Sequence, residues 1–351
     1  MRRHIDSPVT TGAASLQDAL QQNTRSQGPS FSPVGAALTA VGVVAAAGVG
    51  AFAWGSLVER RLFTLRRVSA PVLAKGAEPI RVLHISDFHL APWQNQKQAW
   101  IRQLANLKPD LIVDTGDNLG HVDSYDALEY ALEPLRGIPG VFVNGSNDYW
   151  APGFKNPLRY FMGPSKAHPE PVALDIEREH GIFASLGWKD LNNKAASLDV
   201  RGTHIELFGV NDPHRRYDKL ERISGALDDL REEESDDDNA NENNTVAGRS
   251  TLTIGVAHAP YQRVLNSFVN HGAEVIFAGH THGGQVCVPG FGALVTNCDI
   301  PRKQVKGLSL WRRGRRAAYL NVSAGLGTSI YAPVRFACLP EATLLTLTPA
   351  H

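Results

Sequence analysis

Apolar runs and polar segments alternate along the chain from residue 80 onward. Five of the apolar runs have the length of buried strands and are bounded by polar or turn-forming residues. They occupy residues 80–85, 111–114, 140–143, 252–257 and 274–278. Helix-like stretches lie between some of these runs, for example at 95–107 and 124–135. This alternation predicts an α/β or layered α+β domain.

The first 79 residues follow a different pattern. Residues 1–32 are polar and rich in Gln, Ser, Thr and Gly, which predicts a disordered tail. Residues 33–58 contain no charged side chain, and about 20 apolar residues suffice for a helix to cross a bilayer. We therefore expect a single transmembrane helix over 33–58, followed by a linker over 59–79. The alternative is a buried or signal-like helix.

The distribution of charged residues bears on the orientation of the chain in the membrane and on one acidic segment. Arg60 and Arg61 follow the apolar span closely, whereas Arg2, Arg3 and Arg25 precede it mostly at a greater distance. The positive-inside rule therefore favours a cytoplasmic C-terminal side over the opposite orientation without deciding between them. Residues 228–250 are acidic and rich in Asn, and we expect a disordered loop there. The 351 residues carry 35 basic and 35 acidic side chains. This balance gives no reason to expect nucleic-acid binding.

The candidate chemistry lies where the apolar runs end. Four of the runs lead into carboxylates or imidazoles that can bind metal ions: Asp87, His89, Asp117, His258, His280 and His282. The remaining run leads into Gly-Ser-Asn-Asp at 145–148. Sites gather at the carboxyl ends of strands in open sheets, and side chains two apart on extended chain point the same way. Each motif alone is weak, but their common placement predicts one metal centre.

The motifs resemble those of the calcineurin-like metallophosphoesterases, over roughly residues 80–348. His-Ile-Ser-Asp-Phe-His at 84–89 and Gly-His-Thr-His-Gly-Gly-Gln at 279–285 are similar to a membrane-associated bacterial branch. That branch includes phosphoesterases of the UDP-2,3-diacylglucosamine pyrophosphatase type. The resemblance implies a four-layer α-β-β-α sandwich over 80–348, with the metal centre at the strand ends.

The resemblance also implies two divalent metal ions. The first would be bound by Asp87, His89 and His282, and Asp117 would bridge both ions. The second would be bound by His258, His280 and an amide oxygen from the loop 145–148. Imidazole and carboxylate ligands suit Mn, Fe or Zn. A hydroxide bridging the two ions would attack phosphorus.

One motif departs from the family pattern of Gly-Asn-His followed by Asp or Glu. Here Ser146 occupies the usual Asn position and Asn147 the usual His position. Either Asn147 supplies the amide ligand, or Ser146 or water fills the place and the second ion binds more weakly. We favour Asn147, because an amide carbonyl is the better neutral oxygen ligand. We expect Asp148 to orient a ligand, so that Asp117, Asn147 and Asp148 are the candidate catalytic residues.

These observations predict a membrane-bound metallophosphoesterase. We expect hydrolysis of a phosphodiester or pyrophosphate bond in a small-molecule or lipid-linked substrate. The missing imidazole fits this expectation, because a nucleotide monophosphate leaving group needs little protonation. The alternatives are a phosphomonoesterase, which includes protein phosphatases, and a scaffold of the same fold with little catalysis.

Overall fold

The computed structural model describes residues 33–153, 172–240, 251–329 and 331–350. The expected disordered tail 1–32 and residues 241–250 of the expected acidic loop lie outside this range. The chain divides into two units, residues 1–50 and 51–351. In the first unit, the described residues belong to the N-terminal part of a helix, α1 (Pro33–Leu57). Its large apolar side chains, among them Val41 and Val44, are exposed, and its length and composition suit a membrane span.

The second unit contains two six-stranded sheets. The first sheet has, in spatial order, β1 (Thr64–Leu73), β14 (Glu341–Pro349), β2 (Ile80–Ile85), β3 (Leu111–Asp114), β4 (Gly140–Phe142) and β5 (Trp188–Asp190). The strands β2, β3, β4 and β5 are parallel, and β14 runs antiparallel to β2. The carboxyl ends of the parallel strands therefore meet at one edge.

The second sheet repeats this arrangement. Its spatial order is β12 (Gly307–Arg313), β13 (Arg316–Val322), β9 (Val275–Ala278), β8 (Thr251–Ala257), β7 (Thr203–Val210) and β6 (Ala195–Val200). The central strands β13, β9, β8 and β7 are parallel. A two-stranded ribbon, β10 (Cys287–Val288) with β11 (Gly292–Ala293), follows the loop after β9.

Helices cover the outer face of each sheet. The helices α2 (Asn95–Gln103), α3 (Tyr125–Leu132) and α5 (Ile176–Leu186) pack on the first sheet through one apolar cluster. The helices α6 (Ile223–Ala240) and α7 (Gln262–Asn270) pack on the second through another. A third cluster between the sheets joins residues of both, such as Val82 and Val113 with Leu207 and Val256. The result is the expected four-layer α-β-β-α sandwich, to which α4 (Ser146–Tyr149) adds one short turn.

The expected linker 59–79 contains a strand instead. β1 pairs with β14 in parallel, from Thr64 beside Glu341 to Leu73 beside Pro349. It lies at the edge of the sheet, where a proline such as Pro71 is tolerated, and the register shifts between Pro71 and Leu73. The proline and the basic residues hide the strand pattern in the sequence. The partner strand lies at the other end of the chain.

The expected acidic loop is partly helical. α6 continues to Ala240, with Ile223 and Leu227 buried against the second sheet. One turn later, the Arg231 guanidinium donates two hydrogen bonds to the Glu206 carboxylate, at 2.9 and 2.8 Å. These three positions are four residues apart and share one helix face. The acidic residues that follow give this stretch a composition typical of disordered segments, so the sequence analysis did not predict the helix.

Candidate metal centre

The six carboxylates and imidazoles predicted from strand ends converge at the shared edge of the two sheets. Asp87 and His89 follow β2, and Asp117 follows β3. His258 follows β8 in the second sheet, while His280 and His282 follow β9. Five of the six side chains are less than a tenth exposed, and the His282 side chain is 13% exposed. Each sheet thus contributes ligand-type side chains to one buried cluster.

The first ligand group joins Asp87, His89 and His282. The Oδ1 atom of Asp87 lies 3.6 Å from Nε2 of His282. The Nε2 atoms of His89 and His282 face each other at 3.1 Å. These three side chains direct a carboxylate oxygen and two imidazole nitrogens at one small space.

The second ligand group joins Asp117 and His258 with Asp87, which also belongs to the first group. The Oδ2 atom of Asp117 and Nε2 of His258 are 3.5 Å apart. Nδ1 of His280 lies 3.2 Å from Nε2 of His258. The same Oδ2 atom of Asp117 is 3.6 Å from Nε2 of His89 in the first group. One carboxylate oxygen therefore lies within reach of both groups.

The outer nitrogens of three imidazoles lie beside backbone carbonyls, which can only accept, and N–H donors of Asn297 and Arg335 approach two of these nitrogens at 3.2 and 3.5 Å. Nδ1 of His258 donates to the Thr115 carbonyl at 2.7 Å, and Nε2 of His280 donates to the Asn297 carbonyl at 3.2 Å. Nδ1 of His282 donates to the Gly327 carbonyl at 3.1 Å. In the neutral rings these bonds leave the inner nitrogens as lone pairs. When His258 is neutral, two lone pairs face each other at 3.2 Å and repel, so the residues fit a cation between them, either a metal ion or the proton that His258 carries without one.

Burial and charge set the protonation of the cluster. Burial lowers the pKa of His89 to about 4 and holds the pKa values of His280 and His282 well below the usual range. Burial also raises the pKa of Asp87 to about 7. Although burial opposes it, the carboxylates of Asp117 and Asp87 raise the pKa of His258 to about 9. In the metal-free protein, a proton on His258 therefore balances part of the carboxylate charge.

The backbone at the site is strained. Five of the six ligand-type residues adopt positive φ angles between 40° and 66°: Asp87, His89, Asp117, His280 and His282. Such conformations cost roughly 1–3 kcal/mol each for residues with a side chain, and they concentrate at functional sites. Gly279 has no such cost, but a Cβ there would collide with Ser86 Oγ and Asp87 Oδ2. The backbone is therefore drawn close around the ligand groups.

The loop 145–148 places Asn147 beside Asp117. The backbone N–H and the Nδ2 atom of Asn147 donate to the two carboxylate oxygens of Asp117, at 2.7 and 2.8 Å. Ser146 faces elsewhere, and its hydroxyl donates to Asp212 Oδ2 at 2.5 Å. A half-turn of the Asn147 amide would exchange its nitrogen and oxygen at the same position. Of the two candidate oxygen ligands, Asn147 is thus the one next to the second group.

Asp148 does not point between the imidazoles. Its fully buried carboxylate accepts backbone N–H groups of Asp117 at 2.8 Å, Asn118 at 2.7 Å and Gly145 at 2.7 Å. Burial, together with the Asp117 charge, raises its pKa to about 6. Asp148 ties the loop after β3 to the loop after β4. It therefore positions Asp117 and Asn147.

Two further residues at the site were not predicted from the sequence. Asp212, which follows β7, is fully buried, accepts the Ser146 hydroxyl, and has a pKa raised mainly by burial. The ring of His214 lies 4.6 Å from the ring of His280, and its Nδ1 is 2.9 Å from the Tyr261 hydroxyl. The segment 211–214 has the composition of an ordinary turn. However, it follows a strand as the other motifs do, and that placement is the signal that could have identified it.

Comparisons with known proteins agree with this geometry. The sequence profile of the family described as calcineurin-like phosphoesterase matches residues 80–284. YpbG of Bacillus subtilis (strain 168) is 26% identical over 279 residues, 78% of this chain and 83% of that protein. A UDP-2,3-diacylglucosamine pyrophosphatase, LpxG of Chlamydia muridarum (strain MoPn / Nigg), is 26% identical over 341 residues, 90% and 98% of the two chains. The uncharacterised metallophosphoesterase YkuE of Bacillus subtilis (strain 168) is 24% identical over 288 residues, 81% and 84%.

Proposed function

The chain belongs to the calcineurin-like phosphoesterase family, and from that membership we propose that it hydrolyses a phosphodiester or pyrophosphate bond with two divalent metal ions. The family and the relatives make it a hydrolase of phosphate esters. The observation that carries the two-metal proposal is the sharing of Asp117. One of its oxygens lies 3.6 Å from His89 and 3.5 Å from His258, which belong to different ligand groups.

In this proposal each ligand group holds one ion. The first ion would be held by Asp87, His89 and His282, and Asp117 would serve both ions. The second would be held by His258, His280 and the Asn147 amide oxygen. When bound, such ions polarise a phosphoryl oxygen and lower the pKa of a bound water toward neutrality. Their identity among Mn, Fe and Zn is left to metal analysis.

The chain's own residues keep this centre in place. The Asp148 carboxylate accepts one backbone N–H from Asp117 and two from the adjoining loops, and Asp212 accepts the Ser146 hydroxyl. The carbonyls of Thr115, Asn297 and Gly327 orient three of the imidazoles. The side chains that would hold the ions therefore need little reorganisation when the ions bind.

We propose a lipid-linked pyrophosphate or diester as the substrate class. Two relatives, both named UDP-2,3-diacylglucosamine pyrophosphatase, align with 90% and 86% of this chain. α1 supports the same assignment, because a protein held at a membrane by one helix meets lipid substrates in the bilayer plane. The basic residues after α1, Arg60 and Arg61, favour a catalytic unit on the cytoplasmic side.

A substrate panel tests the reaction. The full chain, purified in detergent with Mn²⁺, is assayed against 4-nitrophenyl phosphate, bis(4-nitrophenyl) phosphate and a UDP-linked diacyl sugar. We expect faster turnover of the diester and the nucleotide-linked lipid than of the monoester. Preference for the monoester would favour a phosphomonoesterase. Absence of turnover in protein shown to contain two metals would favour a scaffold.

The membrane tether has its own test. Membranes from cells expressing the full chain are washed with alkaline carbonate, which strips peripheral proteins. We expect the protein to remain with the membranes because α1 is long and apolar enough to span them. Release of the intact chain into the supernatant would refute the tether and leave the proposed chemistry untouched.

A further inference from the structure

The ribbon formed by residues 287–294 exposes large apolar side chains. The exposed fractions of Val288, Phe291 and Leu294 are 43%, 60% and 40%. Cys287 pairs with Ala293 and Val288 with Gly292 in the ribbon, and Cys287 and Ala293 are buried on its inner side. Three apolar side chains presented together on a short, anchored ribbon form a patch of the kind that marks an interaction surface.

The ribbon is attached directly to the loop that carries His280 and His282. Gly284 leaves no room for a side chain, because an added Cβ would collide with that of Ala293. A few residues beyond the ribbon, the Asn297 carbonyl accepts the hydrogen bond that orients His280. The exposed patch therefore lies beside the metal centre.

The charge around the ribbon is positive. Residues 287–306 contain three basic side chains and one acidic side chain, Asp299. The Arg302 guanidinium lies over the Phe291 ring at 4.5 Å, and Lys303 beside it is exposed. Apolar side chains with adjacent cations match a surface that is apolar inside and anionic at its boundary.

The last turn of α1 reaches the same region. The Trp54 indole donates to Glu59 at 3.1 Å, and the Glu59 carboxylate accepts the backbone N–H of Cys338 at 2.7 Å. Cys338 packs in one buried cluster with Cys287 and Ala293 of the ribbon. The cavity of about 650 Å³ at this place is lined by Trp54 and by Lys306, among others. The end of the apolar helix and the ribbon are thus parts of one packed region.

We propose that the ribbon 287–294 docks on the surface of the anionic phospholipid bilayer that holds α1. In this arrangement Phe291, Val288 and Leu294 enter the acyl boundary, and Arg302 and Lys303 contact lipid phosphates. The metal centre then opens toward the headgroup layer, where the scissile bond of a lipid-linked substrate lies. The inference rests on the proposed tether and extends it from a passive anchor to a second, oriented contact.

The test places a tryptophan at the tip of the ribbon. The full chain with Phe291→Trp is reconstituted in phosphatidylglycerol-containing vesicles whose acyl chains carry bromine, which quenches nearby indoles. Unmodified protein, with its six tryptophans, supplies the background. A Tyr130→Trp variant is the matched control, because Tyr130 is 55% exposed on α3, a helix that packs on the outer face of the first sheet. We expect the added emission of Phe291→Trp to be largely lost and that of Tyr130→Trp to be retained.

Other outcomes overturn the proposal in distinguishable ways. If the chain floats with the vesicles but the Phe291→Trp emission is retained, docking is wrong and the tether stands. If the chain does not float, both fail, while turnover of a soluble diester still reports the chemistry. If quenching occurs only after lipid-linked substrate is added, the patch binds the substrate molecule and not the bilayer surface. If the added emission of the Phe291→Trp variant changes with protein concentration in lipid-free detergent, the patch belongs to a contact with a second copy of the chain.

Discussion

Both ligand groups are buried and share Asp117, but their imidazoles are oriented by different means. In the second group, His258 and His280 each donate an outer N–H to a backbone carbonyl. In the first group, His282 does the same, whereas Nδ1 of His89 is buried without a hydrogen-bond partner among the described residues. His258 of the second group is therefore oriented before any cation binds. His89 depends on its strained backbone and on the cation itself.

The groups differ again in their remaining oxygen ligands. The first uses the carboxylate of Asp87, which also accepts the His280 backbone N–H at 3.0 Å. In the proposed centre the second would use Asn147, a neutral amide whose N–H groups contact Asp117. A well-ordered group with a neutral ligand and a less ordered group with a charged one can have similar affinities. Substitutions and pH should separate the two contributions.

The largest effect is expected from the residue that the groups share. Asp117→Ala should remove both ions and lower diester turnover by about 1,000-fold or more, ~4 kcal/mol of transition-state stabilisation. Metal stoichiometry by mass spectrometry and turnover are measured together. Asp117→Asn is the control, because it keeps the shape of the side chain and removes the charge. Normal turnover in Asp117→Ala would refute the two-metal mechanism.

Raising the pH should strengthen metal binding to both groups, over different ranges. The pKa of Asp87 is about 7 and that of His258 about 9 in the metal-free protein. Both must lose a proton to bind a cation, so affinity falls about tenfold per pH unit below each pKa. Affinity of the first group should level off above about pH 7, and that of the second should rise to about pH 9. Calorimetric titration with Mn²⁺ in buffers of different ionisation enthalpy measures the protons released, and pH-independent binding would contradict this assignment.

The strand-end ligands were predictable because local sequence determines them. Val82 and Val113 belong to apolar runs whose length marks buried strands, and the ligand follows at once. Parallel pairing then brings these strand ends to one edge. The apolar runs alone predict a layered domain but not how many layers it has. The prediction of four layers came from the family resemblance.

What the sequence did not reveal depends on contacts between distant residues. Thr64 in β1 pairs with Glu341 near the other end of the chain, and no local pattern shows this. The helical part of the acidic segment is anchored by the ion pair between Arg231 and Glu206. Composition does not reveal this pair. Ser146 and Asn147 could be distinguished only in the structure, where the Ser146 hydroxyl donates to the distant Asp212 carboxylate.

A smaller effect is expected at the loop that distinguishes the second group. Asn147→Ala should weaken the second ion about tenfold, ~1.4 kcal/mol, and leave the first ion bound. Ser146→Ala is the matched neighbour, and it should keep both ions because its hydroxyl bonds to Asp212. Titration of each variant with Mn²⁺ resolves the two sites. The assignment of Asn147 is wrong if Ser146→Ala loses an ion while Asn147→Ala keeps two and full activity.

The most substrate-dependent effect should come from His214, which contacts His280 among the ligand-type residues. Its ring lies 4.6 Å from that of His280 and its Nδ1 is 2.9 Å from the Tyr261 hydroxyl. The loop 145–148 has no imidazole, and we infer that the half-buried His214 ring donates an N–H to the leaving group in its place. His214→Ala should slow an alkyl phosphodiester about tenfold, ~1.4 kcal/mol, while a nitrophenyl diester changes little. Tyr261→Phe removes the hydroxyl and keeps the ring, so it separates a loss of orientation from a loss of the donor. Equal slowing of both diesters by His214→Ala would instead show that the ring only packs against His280.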